Sequence, residues 1–126
     1  MIGKEVEQAL QNTLMNHPAS VTEFTVAPQI NPNQGLPYHE WLIEFDQLPE
    51  NLDAFSAALD EAMRKQNMYY DDLISGKVLQ PLQVTLIAKN GFNAYMKSEG
   101  KLGGQNKIPR LSNDRKIADF LISHTT

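Results

Sequence analysis

Hydrophobic residues recur with two different periods along the first half of the chain, and each period predicts a type of secondary structure. Between residues 4 and 16 apolar side chains recur every three or four positions, which predicts an amphipathic helix. Apolar and polar residues then alternate over Val21 to Ala27 and again over Tyr38 to Phe45, which predicts two half-buried strands. Proline, asparagine and glycine dominate the connection between them, so the two strands form a predicted hairpin with a long tip.

Helical spacing returns in the middle of the chain, after Asn51, where apolar residues recur as far as Met63. The next stretch, Asn67 to Gly76, shows neither period and is predicted to be irregular. It contains Tyr69 and Tyr70, which could line a pocket or contact a partner, although an aromatic pair after a helix more often packs inside the protein.

The last part of the chain predicts one strand and two helices. Leu82 to Ala88 alternates, so that its even-numbered apolar residues share one face of a strand. Phe92 to Ser98 predicts a short helix that ends at Gly100, and Ser112 is predicted to cap the last helix.

The predicted order is therefore helix, strand, strand, helix, strand, helix, helix. The simplest arrangement of these elements is one small mixed or antiparallel sheet of about three to four strands, covered by helices, which is an α+β fold. A length of 126 residues fits a single domain over residues 1–126.

Composition narrows the classes of function. The net charge is −4 and the sequence pI is about 5.3, which argues against a general binder of nucleic acid or anionic membranes. The chain contains no cysteine, which excludes disulfides and thiolate chemistry. The first ten residues include acids and no apolar core of signal-peptide length, so we expect a cytoplasmic protein.

Positive charge is concentrated in one window, residues 97–116. Six of the eleven basic residues fall there against two acids, about +4, while the remaining residues hold five bases and thirteen acids, about −8. The window also contains Gly103 and Gly104, which allow a close approach of the backbone and its amide groups. Such a loop suits a small anion, for example a phosphate or a carboxylate.

The proline in this window gives the predicted loop a geometry. Pro109 favours an extended or polyproline conformation, whose repeat of three residues would place Lys107 and Arg110 on the same side. The glycine and lysine spacing is not that of a Walker phosphate-binding loop. The alternative is an ordinary solvated turn between two helices, in which Arg110 pairs with a nearby carboxylate.

Familiar catalytic patterns are missing from the sequence. The three histidines, His17, His39 and His124, are far apart and none belongs to a metal-spaced pair, so no metal site is predicted. Asp71 and Asp72 are adjacent acids, which are usually solvated. The residues alone thus indicate an anion-binding or regulatory small domain.

Four segments together resemble one known family. The run Gly-Lys-Leu-Gly-Gly-Gln-Asn-Lys-Ile-Pro-Arg-Leu, residues 100–111, resembles the closing motif of the auxin-responsive GH-three family of acyl-acid amido synthetases, especially its bacterial branch. His39 to Phe45 resembles the family's strand with a leading His and a later Glu, Asn67 to Tyr70 its segment ending in Tyr, and Leu79 to Leu82 the entry to the next strand. The resemblance covers roughly residues 20 to 123.

This resemblance implies a two-step reaction that uses ATP and Mg²⁺. An acyl acid is adenylated with release of pyrophosphate, and an amino acid then displaces AMP to form an amide. The family pairs a large N-terminal adenylation domain with a small mobile C-terminal domain, and this chain resembles only the small one. We therefore expect a fragment or an excised domain that binds none of these cofactors alone and is inactive without its adenylation domain.

The resemblance also implies roles for residues of the loop. Lys107 falls on the motif lysine that reaches into the active site during adenylation, and it is the predicted catalytic residue. Arg110 and Lys101 are predicted to assist as cations, and Gly103 and Gly104 to let the loop approach the nucleotide. Two other classes stay open: a free-standing module that senses a phosphorylated or carboxylated metabolite, and a protein-interaction domain that uses the hairpin tip with its tyrosine pair.

Overall fold

Eight helices and strands make up the described part of the chain, which in this computed structural model comprises residues 2–30, 35–100 and 108–123. They are, in order, α1 (Gly3–Asn16), β1 (Ser20–Gln29), β2 (Tyr38–Gln47), α2 (Leu52–Gln66), α3 (Met68–Ser75), β3 (Gln83–Leu86), α4 (Gly91–Ser98) and α5 (Lys116–Ser123). The predicted α+β class and the predicted order of elements are confirmed. One helix, α3, was not expected.

Helix α3 occupies the stretch that was predicted to be irregular. Asn67 ends α2, and its side-chain Oδ1 accepts a hydrogen bond of 2.8 Å from the Tyr70 backbone N–H, which caps the new helix. Eight residues are too few for a clear helical period, so only the cap marks this helix in the sequence. The helix places the two tyrosines in different surroundings. Tyr70 is only 2% exposed, whereas Tyr69 is 72% exposed.

The three strands form one mixed sheet in the order β1-β2-β3. β1 and β2 pair antiparallel, with Val26 opposite Trp41, and β2 and β3 pair parallel, with Trp41 opposite Val84. The predicted hairpin is therefore present, although the residues at its tip, 31–34, lie outside the described residues. The central strand β2 has a neighbour on each side, so its side chains project into the middle of the domain.

One face of the sheet packs against α1 and α2. The ring of Trp41 stacks on Phe24 with centroids 5.7 Å apart, and Phe45 meets Phe55 edge to face at 5.6 Å. Apolar side chains from the sheet and these helices fill the core between them: Val6, Ala9, Leu10, Phe24, Val26, Trp41, Ile43, Phe45, Phe55, Leu59 and Met63.

The opposite face of the sheet is buried as well, which corrects the prediction of half-buried strands. Helices α4 and α5 cover it, and Thr25 and Leu42 are both fully buried there. Two acids, Glu40 and Glu44, share this face and are only 6% and 5% exposed. The period-two pattern placed these residues in solvent because it registers only which positions are polar.

The third strand and the last helix differ from their predictions at their ends. Leu86 is 40% exposed, whereas Ile87 is 5% exposed and donates its N–H to Ile43 O at 2.9 Å, so the backbone turns as it leaves β3. Helix α5 begins at Lys116, and Ser112 instead donates its N–H to Val26 O at 2.7 Å. Within the described residues, no helix is both long and apolar enough to cross a bilayer.

Candidate functional site

The glycine and lysine loop predicted to carry the chemistry spans residues 100–111, and the structure describes its two flanks. Lys101, Gly103, Gly104 and Lys107 lie outside the described residues, so their predicted roles stay predictions. The same holds for the predicted common orientation of Lys107 and Arg110. The flanks nevertheless define where the loop leaves the fold and where it returns.

The upstream flank is helix α4, whose start is fixed by a buried carboxylate. Glu44 on β2 accepts hydrogen bonds from the backbone N–H groups of Asn90 at 3.1 Å and Phe92 at 3.3 Å. A carboxylate at this end of a helix satisfies free N–H groups and interacts favourably with the helix dipole. The glycine at the first helical position, Gly91, is required because a Cβ there would lie 2.5 Å from Ile87 Cγ2.

The end of α4 leads directly into the loop. The N–H of Gly100 donates to Lys97 O at 3.0 Å, and Gly100 adopts a left-handed conformation with φ +67°. Such a φ favours glycine at the residue that ends a helix. The loop therefore begins at a defined turn.

The downstream flank lies along the free edge of β1. Val26 N–H donates to Arg110 O at 3.0 Å, and Leu111 forms a parallel bridge with Val26. The hydroxyl of Thr25, which is fully buried, donates to Pro109 O at 2.6 Å and lies 3.2 Å from Ser112 Oγ. The chain that returns from the loop is thus held like a short fourth strand.

The side chain of Arg110 turns back onto the body of the domain. Its Nε lies 3.2 Å from Glu7 Oε1 on α1, and its Nη1 bonds both Glu23 Oε1 and, at 3.0 Å, Phe24 O. Its guanidinium carbon stands 4.5 Å from the centroid of the Phe24 ring, a cation–π contact. The alternative in which Arg110 pairs with a nearby carboxylate is therefore the one seen in the structure, and its predicted ligand role stays untested.

A second arginine of the cationic window also pairs inside the protein. Arg115 Nη2 lies 2.8 Å from Glu40 Oε1, and Thr85 donates its hydroxyl to Glu40 Oε2 at 2.5 Å. Arg115 also contacts Pro28 O at 3.3 Å and Asp119 at 3.4 Å. It therefore ties the start of α5 to two strands.

These pairs change the electrostatic picture that the sequence suggested. Among the described cations of the window, Arg110, Arg115 and Lys116 all form ion pairs, the last with Glu99 at 3.4 Å. Lys97 is exposed, and it forms no ion pair with an acid among the described residues. The two arginines thus act as anchors of the loop flanks, and among the described cations of the window only Lys97 lacks an acidic partner.

A small apolar pocket of about 240 Å³ adjoins the downstream flank. It is lined by Val26, Pro28, His39 and Leu111 among others. The His39 ring stacks on Tyr70 with centroids 5.3 Å apart, and burial holds the pKa of His39 below its usual value. Tyr70 packs inside the domain, where its hydroxyl donates a hydrogen bond to Asp60 at 2.5 Å. Of the two tyrosines that were predicted to contact a partner, only Tyr69 is therefore exposed.

Sequence reasoning missed the acids that hold the site together. The alternating pattern of β2 predicted that Glu40 and Glu44 lie on its solvent-facing side. Only the family resemblance drew attention to a later Glu in this strand. For Glu44 the available signal is its place between the apolar residues Ile43 and Phe45, whereas Glu40 follows His39 and has no such signal. No group of three His, Asp or Glu side chains suited to a metal ion occurs in residues 2–30, 35–100 and 108–123.

Comparison with known proteins gives one family and two related structures. The family model described as the GH3 family C-terminal domain matches residues 4–116. A solved structure of the GH3.15 acyl acid amido synthetase matches with a TM-score of 0.76 and 16% identity, over 97% of this chain and 23% of that chain. Another, described as AtGH3.15 acyl acid amido synthetase in complex with 2,4-DB, matches with a TM-score of 0.70 and 16% identity, over 98% and 23%.

No curated protein matches the chain. At 16% identity the two structural likenesses establish a common fold, and the chain spans 23% of the length of each matched structure. The resemblance drawn from the four sequence segments is confirmed at the level of the family, while the bacterial branch stays a prediction.

Proposed function

Because this chain belongs to the family of GH3 C-terminal domains, we propose that it is the C-terminal domain of an ATP-dependent acyl-acid amido synthetase. The observation that carries the proposal is the likeness of nearly the whole chain to one part of a larger acyl acid amido synthetase, 97% of this chain against 23% of that one. The remaining part of such an enzyme would supply the adenylation domain, which is the proposed partner of this domain. Membership of the bacterial branch and a cytoplasmic location belong to the same proposal.

The proposed reaction has two balanced steps. A carboxylate oxygen of the acyl acid attacks the α-phosphorus of ATP, forms a P–O bond and expels pyrophosphate. The amine of an amino acid then attacks the acyl carbon, the bond to AMP breaks, and the amine loses a proton as the amide forms. Mg²⁺, bound with the nucleotide, would neutralise phosphate charge.

In this proposal Lys107 supplies positive charge to the first step. A fixed ammonium group stabilises charge that develops on phosphate oxygens, and in a site without water such a group changes the rate by about 10²–10³-fold. Lys107 directly precedes Ile108, which is 4% exposed and packs among the apolar residues between the sheet and helices α4 and α5. The backbone next to the lysine is therefore anchored. Lys101, Gly103 and Gly104 belong to the same loop and would approach the nucleotide with it.

The anchoring of both flanks supports a role for the domain as a lid. Glu44 fixes the start of α4, while Thr25 and Arg110 fix the returning chain to β1. Flanks anchored in this way move with the whole domain, so closure of the domain would carry the loop and its lysine toward the active site. The domain alone is expected to be inactive.

The experiment that tests the proposal begins with the size of the native product, detected in source cells with an antibody against this domain. A product several-fold heavier than 14.2 kDa is expected. In that protein, Lys107→Ala should reduce ATP–pyrophosphate exchange by about 10²–10³-fold with an acyl acid substrate. Lys4→Ala, a change of an exposed lysine on α1, is the matched control and should leave the exchange unchanged.

Two results would overturn the proposal. A native product of 14.2 kDa would mean that this domain works without an adenylation domain. Full exchange activity of Lys107→Ala in the larger protein would remove the lysine from the reaction.

A further inference from the structure

The sheet has one open edge, which is the outer side of β3. The opposite edge, along β1, is covered, because Arg110 and Ser112 bond the backbone of Val26 there. In residues 2–30, 35–100 and 108–123 the only strand that pairs with β3 is β2. An uncovered edge presents backbone groups that can pair with another strand.

The hydrogen bonds of β3 show which of its backbone groups point outward. The N–H of Ile87, directly after the strand, donates to Ile43 O on β2 at 2.9 Å. Backbone groups of successive strand residues point to alternate edges, so those of Thr85 also face β2. The N–H and C=O groups of Val84 and Leu86 therefore point away from β2.

These outward groups have no partner in the described part of the chain. The preceding outward N–H, that of Leu82, donates to Asp60 Oδ1 at 3.1 Å. No described residue bonds the N–H or C=O of Val84 or Leu86 on this side. Leu86 is 40% exposed and Gln83 is exposed as well, so another strand can reach the edge. Two donors and two acceptors are thus available within three residues.

The open edge carries no charge that would oppose pairing. Residues 78–88 contain no charged side chain, although charged residues commonly protect exposed edges. Val84 packs toward the core formed with α1 and α2, whereas the Thr85 hydroxyl bonds Glu40 on the opposite face. The edge therefore presents the same alternation in both directions, which makes it complementary to a second copy of itself.

We propose that β3 pairs with β3 of a second copy of this chain, antiparallel and about a two-fold axis beside Thr85. Val84 of each copy then lies opposite Leu86 of the other, and each of these two pairs forms two hydrogen bonds. The four bonds use both outward donors and both outward acceptors of each copy. The two Thr85 residues face each other as a cross-strand pair, and the two sheets join into one sheet of six strands.

The proposed interface is small, so the dimer is transient. One short strand from each copy buries less than the about 1,200 Å² of a stable interface, and we expect a dissociation constant of about 0.1–1 mM. The open edge lies two strands away from Val26, where the chain returning from the cationic loop attaches. Pairing is measured with this chain alone, whereas the synthetase role is measured as pyrophosphate exchange in a larger protein. Each proposal can fail without the other.

The test is sedimentation equilibrium of the chain between about 10 µM and 1 mM, together with NMR of its backbone amides. We expect the average mass to rise with concentration from 14.2 kDa toward twice that value. The amide signals of Val84 and Leu86 should shift over the same range, because these N–H groups gain a partner only in the dimer.

Three changes at Leu86 separate backbone pairing from apolar contact. Leu86→Pro removes the outward N–H but keeps the bonds to β2, and it should weaken the dimer at least about tenfold. Leu86→Lys adds a charge to the edge and should also weaken the dimer at least about tenfold, and it stays informative if the proline lowers the stability of the domain. Leu86→Thr keeps the N–H and a side chain suited to strands, so its dimer should weaken less than about threefold.

A matched control places the same charge elsewhere. Leu48→Lys changes an exposed leucine beyond the end of β2 and should leave the dimer unchanged. A mass of 14.2 kDa at every concentration, or Leu86→Pro and Leu86→Lys dimers as tight as that of the unaltered chain, would contradict the pairing. Concentration-dependent shifts that avoid β3, or loss of the dimer in Leu86→Thr, would assign the association to another contact and overturn the proposal too.

Discussion

Arg115 and Glu40 form an ion pair inside the domain, with Nη2 2.8 Å from Oε1 and side chains that are 20% and 8% exposed. Glu40 lies on the central strand β2, and Arg115 immediately precedes α5. The buried Oε1 receives no hydrogen bond of good geometry from the described residues, so the attraction to Arg115 is what compensates its burial. The chain that returns from the loop is thereby held to the middle of the sheet.

Arg115→Met should destabilise the domain strongly. It leaves the Glu40 carboxylate buried with Thr85 as its remaining partner, and loss of one member of a buried pair costs about 3 kcal/mol. Urea unfolding at neutral pH should show a lower midpoint with an unchanged slope. Lys65→Met is the matched control, because the Lys65–Glu61 pair is exposed and contributes at most about 0.5 kcal/mol. Equal midpoints for the two variants would contradict a structural role of the pair.

Glu44→Gln should loosen the start of α4. In the native chain the Glu44 carboxylate accepts hydrogen bonds from the backbone N–H groups of Asn90 and Phe92. The amide keeps the shape of the side chain, but its NH₂ group would face one of these two donors and could not accept from it. We expect a loss of about 2 kcal/mol and faster hydrogen exchange at these two amides. Glu50→Gln, an exposed acid before α2, should change neither quantity. Unchanged exchange at Phe92 in Glu44→Gln would contradict the capping role.

Thr25→Val tests the attachment of the returning chain to β1. Valine keeps the shape of the buried side chain but removes the hydroxyl that donates to Pro109 O, which should cost about 1–2 kcal/mol. The amides of Val26 and Ser112, which pair across this edge, should exchange faster. Thr22→Val on the exposed side of β1 serves as the control. The same small effect from both substitutions would argue against the attachment.

His39 should make the domain less stable in mild acid. Burial lowers the pKa of His39 below that of an unfolded histidine, about 6.5, so the unfolded chain takes up the proton first as the pH falls. The stabilisation is therefore present above about pH 6.5 and is lost as the pH falls below it. Unfolding free energies of the unaltered chain and of His39→Gln, measured between about pH 5 and pH 8, should converge at low pH. Parallel curves would show that His39 does not titrate differently on folding.

Local patterns were sufficient for most of the elements. Alternation in β2 correctly placed Trp41, Ile43 and Phe45 on a buried face, because that face meets the amphipathic helices α1 and α2. The prediction that a helix begins after Asn51 was correct too. The Asn51 side chain caps α2 by accepting a hydrogen bond of 3.0 Å from the Ala54 backbone N–H. These features depend on neighbours within a few positions along the chain. They were therefore readable from the sequence.

The candidate site was predicted only as far as its position in the chain. The sequence indicated a cationic loop near Arg110, but the pairing of Arg110 with Glu7 joins residues 103 positions apart and has no local signal. A count of charges treats every cation as free, whereas the fold brings acids of the body against both arginines of the window. The charge available for a ligand therefore differs from the charge that the sequence contains.

By itself the sequence determined the α+β class, the order of elements, one buried face of the sheet and the family, because each depends on periodicity or on short ordered segments. Only the tertiary structure decided that the second face is buried and that Glu40 and Glu44 become internal anchors of the loop flanks. The physical reason is that burial of a charge depends on partners from distant elements. Arg115 and the first turn of α4 compensate these acids only once α4 and α5 have packed on the sheet.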